Sequence, residues 1–406
     1  MENSLKKNLS WNTIGMILYN LAIWVFSVLI LRMVGATESG YYAIATSLGN
    51  TYYAVSLWGM RSFIVSDQNN KYSYYEYGIA RFIAIIISIL LVLGTCIISS
   101  YSMDVIKVLI AYSLFKFAEA MIELFECFAQ QKMVMDINAK SMVLRGIVYI
   151  LLFFISLKLT HHAYIAFSVI TICSILICIF VNYRKLKKVL SFNHVYSKEH
   201  VLEILKKCFS IMLFELLAAA IVAIPRLFYE RIGSTEALGI YVSIYTMVVF
   251  LQLVINILIY TFAPYMAKVY QEKNIKKFKQ YIGIVVGGAI GLGLLAEILV
   301  YLIGHPVMSL IFGKEAGASY SYLYLGIISG VSLAMTWLIS QIYVILEKHE
   351  YQLVSAFISV ISCVIFSYFL VNTTDCNRMS LVLILSNLIF IASASVIMIR
   401  KFRSIL

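Results

Sequence analysis

The stretch RMVGATESGYY, residues 32–42, recurs in altered form as RIGSTEALGIY, residues 231–241. Arg, Gly, Thr, Glu, Gly and Tyr appear in the same order in both copies, offset by about 198 residues. Each copy follows the first long apolar segment of its half of the 406-residue chain and precedes the second. A chain that repeats itself near its midpoint is predicted to consist of two similar halves.

The composition excludes a soluble core. Hydrophobic residues make up 62% of the chain and charged residues 13%, with a mean hydropathy of +0.90. Soluble domains carry about 25% charged residues. Apolar runs of about 20 residues follow one another and predict membrane-spanning helices, whereas a transmembrane barrel has short alternating segments. We therefore expect an all-α integral membrane protein.

Charges and turn residues divide the apolar sequence into twelve predicted spans. They are 11–33, 40–66, 79–101, 104–131, 140–160, 163–183, 206–231, 238–266, 280–303, 318–346, 351–371 and 379–399. Because six is even, both halves enter the membrane from the same side. The expected architecture is two parallel six-helix lobes around a central cavity. The N-terminal lobe takes 1–190, with a basic linker to about 205, and the C-terminal lobe takes 206–406.

The positive charges set the expected orientation. Most of the 32 Lys and Arg residues fall at the two termini and in the even-numbered loops. Cytoplasmic loops collect such residues, so a multi-pass protein of the inner membrane with both termini in the cytoplasm is predicted. The basic runs 184–188 and 273–279 predict surface helices on the inner leaflet, with a topology signal favoured over specific lipid recognition. The net charge of +12 is assigned to such loops rather than to nucleic-acid binding.

The predicted span 104–131 carries the richest set of charges. Lys116, Glu119, Glu123 and Glu126 are spaced by three or four residues, which places them on one face of a helix. Two interpretations are open. In one, the charges form Lys–Glu pairs that only hold the helix bundle together. In the other, they line the wall of a water-filled cavity. One lysine cannot neutralise three glutamates, so the second is favoured, with Lys116, Glu119 and Glu123 as candidate cavity residues.

The predicted span 206–231 combines two charges with a proline. Glu215 and Arg226 are eleven residues apart and therefore lie on nearly the same face of a regular helix. Pro225 interrupts that helix, which frees backbone carbonyls and often marks a binding site or a hinge. The alternative is a packing kink with Arg226 reaching outward to the headgroups. Glu215 and Arg226 are taken as candidate cavity residues and Pro225 as a candidate hinge.

Arg61, Arg145 and Glu297 are further charges within predicted spans. Arg61 is a candidate phosphate ligand because a guanidinium binds phosphate in bidentate fashion, although reaching to the headgroups explains it equally well. Arg145 lies nearer a helix end and is expected to reach the headgroups. Glu297 is an isolated deep acid, for which a proton or cation site and a neutral buried carboxyl are both open. Neither the seven cysteines nor His161-His162 has metal-type spacing, so no metal site is expected.

Four motifs give the chain a family resemblance. They are Leu31-Arg32-x2-Gly35-x2-Glu38-x-Gly40-x-Tyr42, its echo Arg231-x-Gly233-x2-Glu236-x2-Gly239-x-Tyr241, Ala263-Pro264-Tyr265, and Pro306-x5-Phe312-Gly313-Lys314-Glu315. In this order and spacing, which cover nearly the whole chain, the sequence resembles the Wzx-type polysaccharide flippases. These transport O-antigen and capsule units and belong to the multidrug/oligosaccharidyl-lipid/polysaccharide (MOP) exporter superfamily.

The resemblance implies a MATE-like fold and a transport mechanism. Alternating access would carry a polyprenyl-pyrophosphate-linked oligosaccharide from the cytoplasmic to the outer leaflet for surface polysaccharide biosynthesis. Arg61, Lys116 and Arg226 are expected to bind the pyrophosphate. The repeated junctions would form tight turns that depend on their glycines, which are Gly35, Gly40, Gly233 and Gly239.

The resemblance also implies partners. These are the lipid-linked glycan, membrane lipids and a polysaccharide polymerase or other assembly proteins, with no nucleic acid. No cofactor is expected beyond a coupling H+ or Na+. That ion stays unassigned, because span 11–33 lacks the acid that related drug exporters usually carry.

Two other functions stay open at this point. An ion-coupled drug or small-molecule exporter would have the same fold. A membrane polysaccharide polymerase or ligase would also cross the membrane many times, but it is expected to carry a long outer loop with reactive residues. The outer loops predicted here are short, so a transporter is expected and not an enzyme.

Overall fold

The computed structural model describes residues 2–67, 71–190, 196–346 and 349–402, and it places these residues in helices joined by short turns. The first half contains α1 Glu2–Met33, α2 Ala36–Leu57, α3 Met60–Ser66, α4 Tyr74–Ile98, α5 Met103–Gln131, α6 Met135–Thr160, α7 Ala163–Ile177, a π-helical segment Cys178–Tyr183 and α8 Arg184–Leu186. The second contains α9 Lys198–Ile232, α10 Thr235–Gln271, α11 Ile275–Phe312, α12 Lys314–Ala318, α13 Tyr322–Ile345, α14 His349–Leu370 and α15 Arg378–Phe402.

Ten helices of the described chain are long and apolar enough to cross a membrane. The expected all-α integral membrane fold is therefore confirmed. The other two predicted spans, 40–66 and 104–131, are also helical but contain more polar residues, and they correspond to α2 with α3 and to α5. That all twelve predicted spans cross the membrane stays a prediction.

The chain divides into two compact units, Met1–Ala219 and Ala220–Leu406. The division lies inside helix α9, whereas the predicted boundary lay in the basic linker before residue 206. The first half of α9 belongs to the first unit because it packs there: the Trp58 indole donates a hydrogen bond to the Leu205 carbonyl at 2.9 Å. Leu186, Val201 and Ile204 lie in the same buried cluster as Trp58.

The core of the first unit is rich in aromatic rings. Phe26 stacks on Phe153 with ring centroids 4.2 Å apart and meets Phe167 edge to face at 5.9 Å. Tyr42, from the quoted stretch, stacks on Phe167 at 5.5 Å. Such pairs add to the stabilisation that burial alone provides, and they connect α1, α2, α6 and α7.

The predicted span 40–66 is broken in the structure. Trp58 and Gly59 both adopt left-handed backbone conformations, with φ of 51° and 59°, and they separate α2 from α3. A side chain at position 59 would also meet Ile211 at 2.6 Å. Both the backbone conformation and the lack of space therefore require glycine at position 59. The break between α2 and α3 changes the direction of the helix that carries Arg61.

The two repeated junctions differ in their glycines. Gly35 begins α2 with a φ of 121°, a conformation that favours glycine. Gly233 has no such φ, and a side chain there would clash with the ring of Tyr229 at 2.4 Å. Gly40 and Gly239 lie inside helices α2 and α10 rather than in the turns, and both are buried.

Candidate functional site

Helix α5 presents its charged stripe to arginines from three other helices. Glu119 and Glu126 are only 3% and 4% exposed, and Glu123 is 12% exposed at its side chain. From the sequence, Lys116 was the only cation available to these three acids on the same helix face, and a wet cavity wall was favoured for this reason. In the structure the acids are balanced by Arg61 of α3 and by arginines of α4 and α6.

Arg145 of α6 joins two of the acids. It donates from Nη1 to Glu119 at 2.6 Å and from Nη2 to Glu126. The Tyr149 hydroxyl donates to Glu119 at 2.6 Å, and the Tyr19 hydroxyl of α1 donates to the same carboxylate. The prediction that Arg145 reaches the headgroups is wrong, because two carboxylates hold its side chain, which is 3% exposed.

Arg81 of α4 and Arg61 of α3 share the third acid. Glu123 accepts from Arg81 Nη2 at 2.7 Å and from Arg61 Nε at 2.8 Å. Arg61 also donates to Gln130 at 3.1 Å, and its side chain is 48% exposed. Arg81 is completely buried and also donates to the Ser56 carbonyl at 3.1 Å.

Arg81 was not among the residues singled out from the sequence. Its position three residues inside the predicted span 79–101 suggested a charge at the membrane edge. The available signal was the excess of glutamate over lysine on α5, which required further cations within the bundle.

Lys116 has aromatic rather than acidic neighbours. Its Nζ lies 4.4 Å from the centroid of the Tyr53 ring and 5.9 Å from that of Tyr112. No carboxylate within the described part of the chain lies within 4.0 Å of this ammonium group. The two rings stabilise the cation through their negative faces, and Lys116 forms no ion pair with a described residue.

Arg226 of α9, in the second unit, also lies against an aromatic ring. Its guanidinium lies 5.2 Å from the centroid of the Tyr245 ring, and the residue is 9% exposed. Its Nε is buried without a hydrogen-bond partner among the described residues, and none of their carboxylates lies within 4.0 Å. The Tyr245 hydroxyl is itself hydrogen-bonded to Ser329 at 3.0 Å. Arg226 is therefore a packed, unneutralised cation next to Pro225.

The two other deep acids have unsatisfied oxygens. Glu215 lies in the portion of α9 that belongs to the first unit, and its Oε2 is buried without a hydrogen-bond partner in the described chain. The same holds for Oε1 of Glu297 in α11. The structure therefore places Glu215 and Arg226 in different units, although they share one helix. No group of three potential metal ligands occurs within the described ranges.

Comparison with known proteins gives a family and a fold. The profile of the family described as "Polysaccharide biosynthesis protein" matches residues 5–270. The capsular polysaccharide biosynthesis protein CapF of Staphylococcus aureus is 25% identical over 338 residues, which are 81% of this chain and 84% of CapF. These matches confirm the family resemblance drawn from the sequence.

The similar solved structures are membrane transporters of one fold. The lipid II flippase MurJ, in an inward closed conformation, superposes with a TM-score of 0.72 at 12% identity, over 97% of this chain and 89% of that protein. An inward-facing MATE multidrug transporter of the MOP superfamily gives 0.66 at 16% identity, over 98% of both chains. VcmN, a MATE transporter of Vibrio cholerae, gives 0.65 at 14%, over 99% of this chain and 98% of VcmN. The MATE-like fold is confirmed.

Proposed function

Since this chain belongs to the polysaccharide biosynthesis protein family, we propose that it is a flippase for a lipid-linked oligosaccharide. In this proposal it moves a polyprenyl-pyrophosphate-linked unit from the cytoplasmic to the outer leaflet of the inner membrane by alternating access. Both termini lie in the cytoplasm, and a polysaccharide polymerase or other assembly protein uses the delivered unit. The protein changes the position of its substrate and makes or breaks no covalent bond.

The observation that carries the proposal is the unneutralised charge of Arg226. A buried cation in a membrane-spanning helix is costly unless a counter-charge is supplied. The described chain offers Arg226 a ring and no carboxylate, so a bound anion is the partner that fits. A pyrophosphate presents several acceptor oxygens to a guanidinium, which binds such groups in bidentate fashion.

Lys116 and Arg61 are proposed to contribute in different ways. Lys116 also forms no ion pair with a carboxylate of the described residues, so its charge is available to the substrate anion. Arg61 is half exposed but already bound by Glu123. A phosphate would have to compete with that carboxylate, and Arg61 is therefore the weaker of the proposed ligands.

The acids are proposed as coupling groups. Glu119, Glu123 and Glu215 are the candidates named from the sequence, and a coupling H+ or Na+ would neutralise one of them. Glu215 suits this role best because its Oε2 has no protein partner within the described chain. Helix α1 contains no acid between Ile14 and Met33, which separates this proposal from one that uses a first-helix acid.

Replacing Arg226 tests the proposal. We expect Arg226→Ala to lower flipping about 10- to 100-fold, because a charge-assisted hydrogen bond contributes about 1.5–3 kcal/mol. Lys116→Ala should lower it by less, since an ammonium makes fewer directed bonds to phosphate. The measurement is leaflet transfer of a lipid-linked oligosaccharide in proteoliposomes, with surface polysaccharide in a flippase-null strain as a second readout.

Arg231→Ala is the matched control on the same helix. Its side chain is 68% exposed, so its loss should leave transfer unchanged. Normal transfer by both Arg226→Ala and Lys116→Ala would refute the assignment of these cations. Efflux of drugs without oligosaccharide transfer by the wild type would instead support the alternative, an exporter of small molecules.

A further inference from the structure

Helix α8 and the two residues after it carry an exposed set of cations, here called the basic turn, residues 184–188. Arg184, Lys185, Lys187 and Lys188 are all exposed, whereas Leu186 between them is fully buried. Leu186 belongs to a buried cluster of the first unit. This anchor fixes the turn against the bundle and directs its charged residues outward.

The basic turn has no internal counter-charge. None of its four cations lies within 4.0 Å of a carboxylate in the described ranges. The acid Glu203, from the neighbouring start of α9, is bound by Lys71 at 2.8 Å and by Lys207 at 2.7 Å. Lys187 lies over the Tyr183 ring, with its Nζ 5.9 Å from the ring centroid. Four positive charges within five residues therefore face the surroundings unbalanced.

The length of the preceding helix places the basic turn at the depth of the lipid headgroups. Helix α7 has 15 residues and the π-helical segment has 6, which together rise about 30 Å at 1.5 Å per residue. This equals the thickness of the hydrocarbon core, about 30 Å. With Ala163 at one boundary of the core, Arg184 stands at the other, where lipid phosphates lie.

A second basic region differs in depth. Helices α10 and α11 have 37 and 38 residues, so each is about 55 Å long and exceeds the roughly 40–45 Å of a whole bilayer. Their connection carries the exposed lysines Lys273, Lys276, Lys277 and Lys279. With the excess length of both helices on the side of their connection, these lysines lie past the headgroups, although their number equals that of the cations in the basic turn.

We propose that the basic turn is a binding site for anionic phospholipid headgroups in the leaflet at the C-terminal end of α7. Its guanidinium and ammonium groups lie at phosphate depth, and its charge is opposite to that of the lipid. Cations in such juxtamembrane clusters each add to the attraction for anionic lipid. A topology signal requires only positive charge, whereas this proposal assigns a lipid ligand to one of two regions that carry the same number of cations. It does not depend on the proposed transport activity.

Lipid titration of the purified full-length protein tests this site. Binding of phosphatidylglycerol, with phosphatidylcholine as the neutral reference, is followed by native mass spectrometry. The variant with Arg184, Lys185, Lys187 and Lys188 all replaced by Gln should bind phosphatidylglycerol at least about tenfold more weakly. The matched control, with Gln at Lys273, Lys276, Lys277 and Lys279, should change this affinity less than about twofold.

Further variants and ligands keep the test decisive. If the fourfold variant fails to accumulate, Lys187→Gln with Lys188→Gln should still weaken binding, and Lys187→Arg with Lys188→Arg should retain it. Equal loss in the turn and control variants would overturn the proposal, because it would show an effect of total charge. Unchanged binding in the turn variants would overturn it as well. Displacement of the lipid by millimolar inorganic phosphate would assign the turn to free phosphate instead.

Discussion

Individual charges in this membrane protein are stabilised in two ways. On α5 the carboxylates of Glu119, Glu123 and Glu126 are paired with arginines from three helices. Arg226 and Lys116 instead lie against tyrosine rings and form no ion pair with an acid of the described residues. In a low-dielectric interior, each member of an ion pair is stabilised mainly by the opposite charge of its partner. A lone cation is available to a ligand, which is why the substrate proposal rests on Arg226.

Removing Arg145 should destabilise the first unit. Arg145→Ala leaves two buried carboxylates, Glu119 and Glu126, without their shared cation, and breaking a buried pair in this way costs about 3–5 kcal/mol. Thermal unfolding of the detergent-solubilised protein measures the effect. Lys140→Ala, which removes the exposed pair with Asp136 on the same helix, should cost less than about 1 kcal/mol. Equal stability of the two variants would contradict this account.

Helix pairs of this protein approach closely where glycines remove side-chain bulk. At Gly146 of α6 a Cβ would lie 3.0 Å from the backbone carbonyl of Leu18 in α1, and at Gly15 it would lie 2.9 Å from the Ala139 oxygen. Small residues at such contacts allow backbones to pack against one another within a membrane. In the second unit the space at a glycine is taken by a side chain, since a Cβ at Gly330 would lie 2.4 Å from Cγ1 of Val248.

A methyl group at Gly146 should separate α1 from α6. Because its close neighbour is backbone and cannot rotate away, we expect Gly146→Ala to lower stability by about 1–3 kcal/mol. The melting temperature in detergent is the measurement. Gly94→Ala in α4 is the control, since a side chain there meets nothing within 4 Å and alanine favours the helix. A melting temperature for Gly146→Ala at or above that of the control would refute the close approach.

The whole chain is a multi-pass membrane protein whose number of crossings depends on α2 and α5. Helix α5 has 29 residues and is about 43 Å long, enough to cross a bilayer. Its hydropathy is lowered by charges that are mostly paired inside the bundle. Such pairing reduces the cost of placing a charged helix in the membrane. We therefore predict that α5 crosses, as the sequence-based count of twelve requires.

Cysteine labelling tests the crossing of α5. Ser100 precedes the helix and Met133 follows it, and both are exposed, whereas the native cysteines are buried or half-buried. An impermeant thiol reagent should label Ser100→Cys in intact cells and Met133→Cys only after permeabilisation. Labelling of both positions from the same side would exclude a crossing by α5.

The sequence by itself determined the membrane class, the helix positions and the two-fold internal repeat. Apolar runs of about 20 residues have few other stable structures in a bilayer, so the span limits differ from the helix ends mostly by a few residues. It also placed the stripe on α5 and the charges of α9, because helical periodicity fixes which residues share a face.

Only the tertiary structure decided which charges are neutralised. Arg61, Arg81 and Arg145 reach the α5 acids from positions far away in sequence, a pairing that periodicity within one helix does not reveal. The same information distinguishes Arg226, which has no carboxylate partner within the described chain, from Arg145, which has two. The physical reason is that a charge in a membrane is governed by its nearest neighbours in space, and these come from other helices.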